Sequence, residues 1–223
     1  MRTESENIFE SYCLNKKVNF SKIEESSTKT PDYLIKLDNY KFIVEITQFE
    51  LNEKEKGVFR SLNPNQFTVY YPEDEKRVRQ KIKDKAKQLK TRKDLPIVLV
   101  FYDNRSIFST LDSDSIKYAL YGDDSYTYYY ENEQNNCIFL KPTFGKGKTL
   151  TEENKNYISA IGFLTKKSDK INLIAYHNYY AEKPLDKFIC KKIFNKQFEI
   201  SPDLGRQQDW KGINAYNSNR KKH

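Results

Sequence analysis

The sequence predicts an α/β domain built on a mixed sheet, and three segments carry that prediction. Residues 32–37 (DYLIKL) and 40–47 (YKFIVEIT) are β-branched and aromatic runs separated by Asp38-Asn39, a pair that tolerates the backbone of a tight hairpin turn. A basic amphipathic helix is expected over about 72–92, with Val78, Ile82, Ala86 and Leu89 forming its apolar stripe. Leu95–Tyr102 (LPIVLVFY) is then a continuous apolar run, as required of a strand buried on both faces.

The remaining elements follow in chain order. Residues 4–14 place Ile8, Phe9, Tyr12 and Cys13 at helical spacing, with Ser5 as N-cap and Glu6 and Glu10 one turn apart. A short strand over Val18–Ile23 and a polar loop closed by Pro31 lead into the hairpin. Phe49–Pro72 reads as irregular and polar. The second half predicts a helix near Asp114–Tyr121, strands near Tyr126–Tyr130 and Cys137–Leu140, and two more at Tyr157–Thr165 and Lys170–Tyr176. No repeat or linker divides the chain, so residues 1–213 are expected to form one domain, with a core at 1–102 and a C-terminal β-rich elaboration at 103–213. The polar, basic residues 214–223 read as a mobile tail.

Composition narrows the function classes. The 223 residues include 39 Lys and Arg against 31 Asp and Glu, a formal charge of +8 that favours an anionic partner such as DNA. Enrichment in Lys, Asn, Ile and Tyr is also what AT-rich codon usage produces, so charge alone is a weak pointer. The acidic N-terminus MRTESENIFE lacks the basic start and apolar run of a signal peptide, and no window approaches the roughly 18 apolar residues of a membrane span; a cytoplasmic protein is expected. Cys13, Cys137 and Cys190 are too scattered for a zinc site or a disulfide framework and read as buried thiols. His177 reads as a structural hydrogen-bonding residue, Gly145–Lys148 (GKGK) as a basic loop without Walker spacing, and the tyrosines of 126–130 as packing residues.

The hairpin holds the feature with chemical meaning. A two-residue turn at Asp38-Asn39 pairs Leu37 with Tyr40, and the same register carried outward sets Asp32 opposite Glu45. Like charges facing each other across a ladder are destabilising and ask for a cation, and a hard divalent ion such as Mg²⁺ or Mn²⁺ suits two carboxylates.

TPDYLI followed by FIVEIT resembles the PD-(D/E)XK nuclease superfamily, whose restriction-endonuclease-like core is shared with archaeal Holliday-junction resolvases. The likeness covers about the first hundred residues and extends to the preceding helix, the following helix and the strand after it. It implies a metal-dependent DNA endonuclease, of the kind used in restriction or phage defence. Asp32, Glu45 and the backbone carbonyl of Ile46 would hold Mg²⁺ or Mn²⁺, with Glu6 assisting directly or through water. The chain departs from the family where the motif lysine should stand, two residues after the Glu, because that position is Thr47. Such a lysine stabilises charge developing on the phosphate, which a neutral hydroxyl does not. Lys36 and Lys41 are too far along their strands, leaving a lysine of the basic helix, for example Lys83 or Lys87, to enter from above. Arg79, Lys83, Lys87 and Lys90 of that helix are the expected DNA contacts. The expected partners are DNA and either a second copy of the chain or a larger assembly. The competing expectation is a catalytically silent nuclease fold that acts as a DNA-binding or protein-interaction subunit.

Overall fold

The computed structural model describes residues 2–24, 30–63, 65, 69, 73–105, 111–131, 136–200 and 209–213. Its centre is one eight-stranded mixed sheet flanked by helices, so the α/β class predicted from sequence is the class observed.

Helix α1 (Glu4–Asn15) begins on a capping box: the Thr3 hydroxyl accepts the Glu6 amide and the Glu6 carboxylate accepts the Thr3 amide. Thr3, not Ser5, is therefore the cap, and Ser5 is buried. Strands β1 (Asn19–Lys22), β2 (Tyr33–Leu37) and β3 (Tyr40–Phe49) form an antiparallel meander. The β2–β3 ladder runs from Leu37 opposite Tyr40 to Tyr33 opposite Val44, the register the two-residue turn demands, and Asp38 takes the positive φ of 53° that this turn requires.

After β3 the chain forms helix α2 (Glu53–Ser61) where the sequence read as irregular. Only two hydrophobic residues, Val58 and Phe59, lie in the nine-residue segment EKEKGVFRS, so it shows little periodicity. What nucleates it is a second capping box, with Asn52 and Glu55 exchanging side-chain and backbone bonds at 2.8 Å. Helix α3 (Asp74–Leu89) follows and is continued by a 3₁₀ turn, Lys90–Arg92. Its stripe of Val78, Ile82, Ala86 and Leu89 is buried as expected. Strand β4 (Ile97–Asp103) then pairs parallel to β3.

The second half extends the same sheet. Helix α4 (Ser113–Tyr121) precedes a separate two-stranded ribbon, β5 (Asp124–Glu131) with β6 (Asn136–Phe144). Strand β7 (Ala160–Lys167) returns to lie parallel to β4, and β8 (Lys170–His177) pairs antiparallel to β7. Two short strands not anticipated from sequence, β9 (Lys196–Glu199) and β10 (Lys211–Gly212), complete the edge, giving the order β1-β2-β3-β4-β7-β8-β9-β10. Each is too brief to show a period-two pattern. The basic tail, 214–223, lies outside the described residues.

Alternation along β3 and β4 separates two cores. Phe42, Val44, Ile46, Val98 and Val100 pack with Phe9, Tyr12 and Cys13 of α1 on one face. Ile43, Phe49, Leu99 and Phe101 pack with the stripe of α3 and with Ile116 and Leu120 of α4 on the other. Glu45 and Thr47 belong by parity to this second face, under α3. Cys13 and Cys190 are buried free thiols, their pKa values pushed up to about 12 by burial. No helix among the described residues is long and apolar enough to cross a membrane.

Candidate active site

The site lies where β2 starts and β3 runs beneath α3. Asp32 stands just before the first residue of β2, and its Oδ2 accepts the Ile46 backbone N–H at 2.7 Å, fixing the carboxylate against β3. Glu45 is fully buried in the middle of β3. Its Oε1 accepts the Lys85 ammonium of α3 at 2.5 Å, and its Oε2 is buried without a hydrogen-bond partner. The Gln88 side chain, one turn along α3 from Lys85, interacts with the same carboxylate.

The electrostatics are those of two acids crowded together. Burial, and next the Asp32 charge, raise the Glu45 pKa from 4.5 to about 7, against the opposing pull of Lys85 and Gln88. Asp32 is also raised, first by burial, with Glu6 adding to it and the Ile46 amide, Lys85 and Lys22 opposing. An unpartnered buried carboxylate oxygen beside a second carboxylate is a local deficit of positive charge that one ammonium does not fill.

Glu6 stands near enough for its charge to act on Asp32, but it is already engaged. It closes the Thr3 cap and binds Lys22 of β1 at 2.7 Å. Burial pushes its carboxyl up, yet bonds from Lys22 and Thr3 outweigh that and hold it below its ordinary value. Glu10 instead accepts from the Tyr33 hydroxyl and pairs with Arg2.

Thr47 is buried next to the site, two residues beyond Glu45. The lysine that reaches the carboxylates is Lys85, and neither Lys83 nor Lys87 does. The reason is helical phase: Val78, Ile82, Lys85 and Leu89 follow a four-three-four spacing, so Lys85 occupies a position on the buried stripe, while Lys83 and Lys87 are exposed. That a charged residue interrupted an otherwise apolar stripe was the available signal.

Sequence reading also missed a buried ionic knot that supports the site. Arg105 is wholly buried and binds Asp74 through both terminal nitrogens at 2.5 and 3.3 Å, Asp103 at 2.8 Å through Nε and Nη2, and Glu55 at 3.2 Å. Arg77 adds two bonds of 2.8 Å to Glu55. Both guanidinium groups lie 5.4 Å from the ring centre of Phe49, the last residue of β3. The knot ties α2, the start of α3 and the end of β4 together at the end of β3.

The expected DNA contacts divide. Lys83, Lys87 and Lys90 are exposed along α3, but Arg79 is half-buried and bonds the Tyr118 carbonyl at 3.1 Å and Asp123 at 2.9 Å, tying α3 to α4. Tyr126 and Tyr128, expected to pack, are more than half exposed, since the β5–β6 ribbon lies outside the main sheet. His177 is buried and bonded to Gln197 at 2.9 Å, with its pKa lowered by burial. A cavity of about 550 Å³ lies apart from the site, among Phe194, Gln197 and Phe198 near β9, and has no acid among the described residues of its lining.

As for cation binding, no cluster of three or more His, Cys, Asp or Glu side chains suited to a metal occurs among the described residues. The pair Asp32 and Glu45 nonetheless fits Mg²⁺, which binds commonly through one or two carboxylates and completes its shell with water and substrate phosphate. No family model, curated protein or solved structure matches the chain.

Proposed function

We propose that the chain is a metal-dependent nuclease that hydrolyses phosphodiester bonds in DNA. The observation that carries this reading is Glu45: a fully buried carboxylate with one oxygen on Lys85, the other unpartnered, and Asp32 beside it. Burying such a pair costs several kcal/mol per ion and contributes nothing to the core that a Leu would not, so its presence favours a chemical role. The PD-(D/E)XK likeness of the hairpin supplies the class of chemistry.

Asp32 and Glu45 would hold Mg²⁺ or Mn²⁺ together with the Ile46 carbonyl. A bound divalent ion at such a site lowers the pKa of its water and polarises the phosphate. Lys85 performs the role that Thr47 has vacated: its ammonium, supplied from α3 instead of β3, is held in place by Glu45 and available to a phosphate oxygen as charge develops there. Its side chain is 30% exposed, so it reaches solvent on one side and the carboxylate on the other. Glu6 orients Lys22 beside Asp32 and is a helper rather than a principal ligand.

Single-turnover cleavage of plasmid, linear and branched DNA with Mg²⁺ or Mn²⁺ tests the reading. Asp32→Ala and Glu45→Gln should abolish cleavage, and Lys85→Met should lower it about 10²–10³-fold, the usual cost of one preorganised charge donor. Wild-type activity that survives Asp32→Ala would end it.

A silent nuclease fold acting as a binding subunit is favoured by one observation, that the Lys85 ammonium already compensates part of the Glu45 charge. Calorimetry separates the two: the nuclease reading expects Mn²⁺ binding that Glu45→Gln removes, and the silent fold expects none.

A further inference from the structure

On the opposite flank of α3 from Lys85, a groove of about 370 Å³ runs between the helix and the segments around residues 147–149 and 155. Lys76, Arg79 and Lys83 line it from α3, and Lys148, Thr149 and Lys155 from the other side. Among the described residues, neither an acid nor an aromatic ring contributes to the lining.

The charges in the groove are unequally compensated. Lys76 is paired with Glu73 at 2.6 Å and Arg79 with Asp123 at 2.9 Å. Lys83, Lys148 and Lys155 have no ion pair among the described residues, and Lys83 stands near enough to Lys155 for the two ammonium groups to repel. Lys155 is half-buried, which sharpens that repulsion. The far wall is pinned by Gly147: its φ is +84°, and a Cβ there would stand 2.8 Å from the Arg79 guanidinium carbon, so the backbone packs directly on the arginine. The groove is thus a preformed basic cleft with lysines lacking an ion pair on both of its walls, Lys155 donating only to the neutral Asn154 at 3.1 Å.

We infer that this groove is a second phosphate-binding site, which takes the sugar–phosphate backbone of a nucleic acid whose scissile bond lies at Glu45. An anion is favoured by the facing ammonium groups. A nucleoside is disfavoured because the described lining residues offer no ring for a base to stack on. A phosphodiester run is favoured over a single bound phosphate because the uncompensated lysines are spread along both walls rather than gathered at one point. Exposed Lys87 and Lys90 continue the basic surface along α3. The inference rests on the nucleic-acid reading of the Glu45 site, but its readout is binding and not cleavage, so the two can fail separately.

The test is the salt dependence of binding of a fluorescein-labelled duplex, followed by anisotropy in Ca²⁺ or EDTA to prevent turnover. Lys83→Ala/Lys155→Ala should lower the slope of log affinity against log salt by about 1.8, at about 0.9 per lost phosphate contact. Lys83→Ala/Lys148→Ala, which changes only exposed side chains, should do the same, and Lys83→Arg/Lys155→Arg should retain the wild-type slope. As a control, Lys167→Ala/Lys170→Ala at the β7–β8 turn removes equal charge elsewhere. An unchanged slope in both groove variants, or an equal fall in the control, overturns the inference. So does binding of inorganic phosphate or pyrophosphate in the groove by a protein that fails to bind the duplex. Cleavage lost in Asp32→Ala with the binding slope intact leaves the groove assigned and separates it from the catalytic site.

Discussion

Replacing Glu45 with Gln should stabilise the protein above neutral pH when no divalent metal is present. The Glu45 side chain is 1% exposed, and burial together with Asp32 raises its pKa from 4.5 to about 7. A carboxyl with a folded pKa above its unfolded value holds its proton more tightly in the native state. Between pH 4.5 and about 7 the folded chain therefore carries a proton that the unfolded chain has released, so stability falls as pH rises through that window and the full penalty stands above it. At about 1.36 kcal/mol per pKa unit, the climb corresponds to about 3 kcal/mol. The favourable pull of Lys85 is already included, since it opposes the rise. Glutamine preserves the shape and never ionises. The variant should accordingly exceed the wild type by about 3 kcal/mol at pH 8.5, with the difference shrinking towards zero below pH 4.5. Urea denaturation in EDTA at pH 4, 6 and 8.5 measures this. Millimolar Mg²⁺ at pH 8.5 should recover stability in the wild type and not in the variant, because a ligand that binds only the native state shifts the equilibrium towards it. A Gln variant no more stable than wild type at pH 8.5 would show that the buried pair is not under electrostatic strain, and the case for a cation-binding role would fall with it.

Arg105→Met should destabilise the fold by about 3–5 kcal/mol, because the buried Asp74 and Asp103 carboxylates lose the guanidinium that binds both of them; thermal unfolding reads this directly. Thr47→Lys should leave single-turnover cleavage level or lower it, since Lys85 already brings an ammonium to Glu45; a rise of a hundredfold would mean that the lysine position is vacant. Gly147→Ala should cost about 1 kcal/mol or more, from its left-handed φ and the close Arg79 guanidinium, and should also weaken duplex binding if the groove is a nucleic-acid contact; both follow from one denaturation curve and one titration.

Elements with strong local periodicity, and the register of the hairpin, follow from residue order alone. Asp38-Asn39 dictates a two-residue turn, and once the turn is set, every position on β2 and β3 is assigned a face, which is why the pairing of Tyr33 with Val44, one step short of Asp32 and Glu45, was readable from residue numbers alone. The apolar run of β4 and the stripe of α3 were legible for the same reason, because burial of one face imposes a period. Helix α2 was not, since its formation depends on the Asn52 cap and on Glu55 meeting Arg77 and Arg105, which are 22 and 50 residues away. Lys85 illustrates the division most clearly. Its place on the stripe of α3 is a property of sequence, but whether a lysine there finds a carboxylate is decided only when β3 passes beneath the helix. Charged groups are buried in partnership, and partnership between residues 40 positions apart is a fact of tertiary structure.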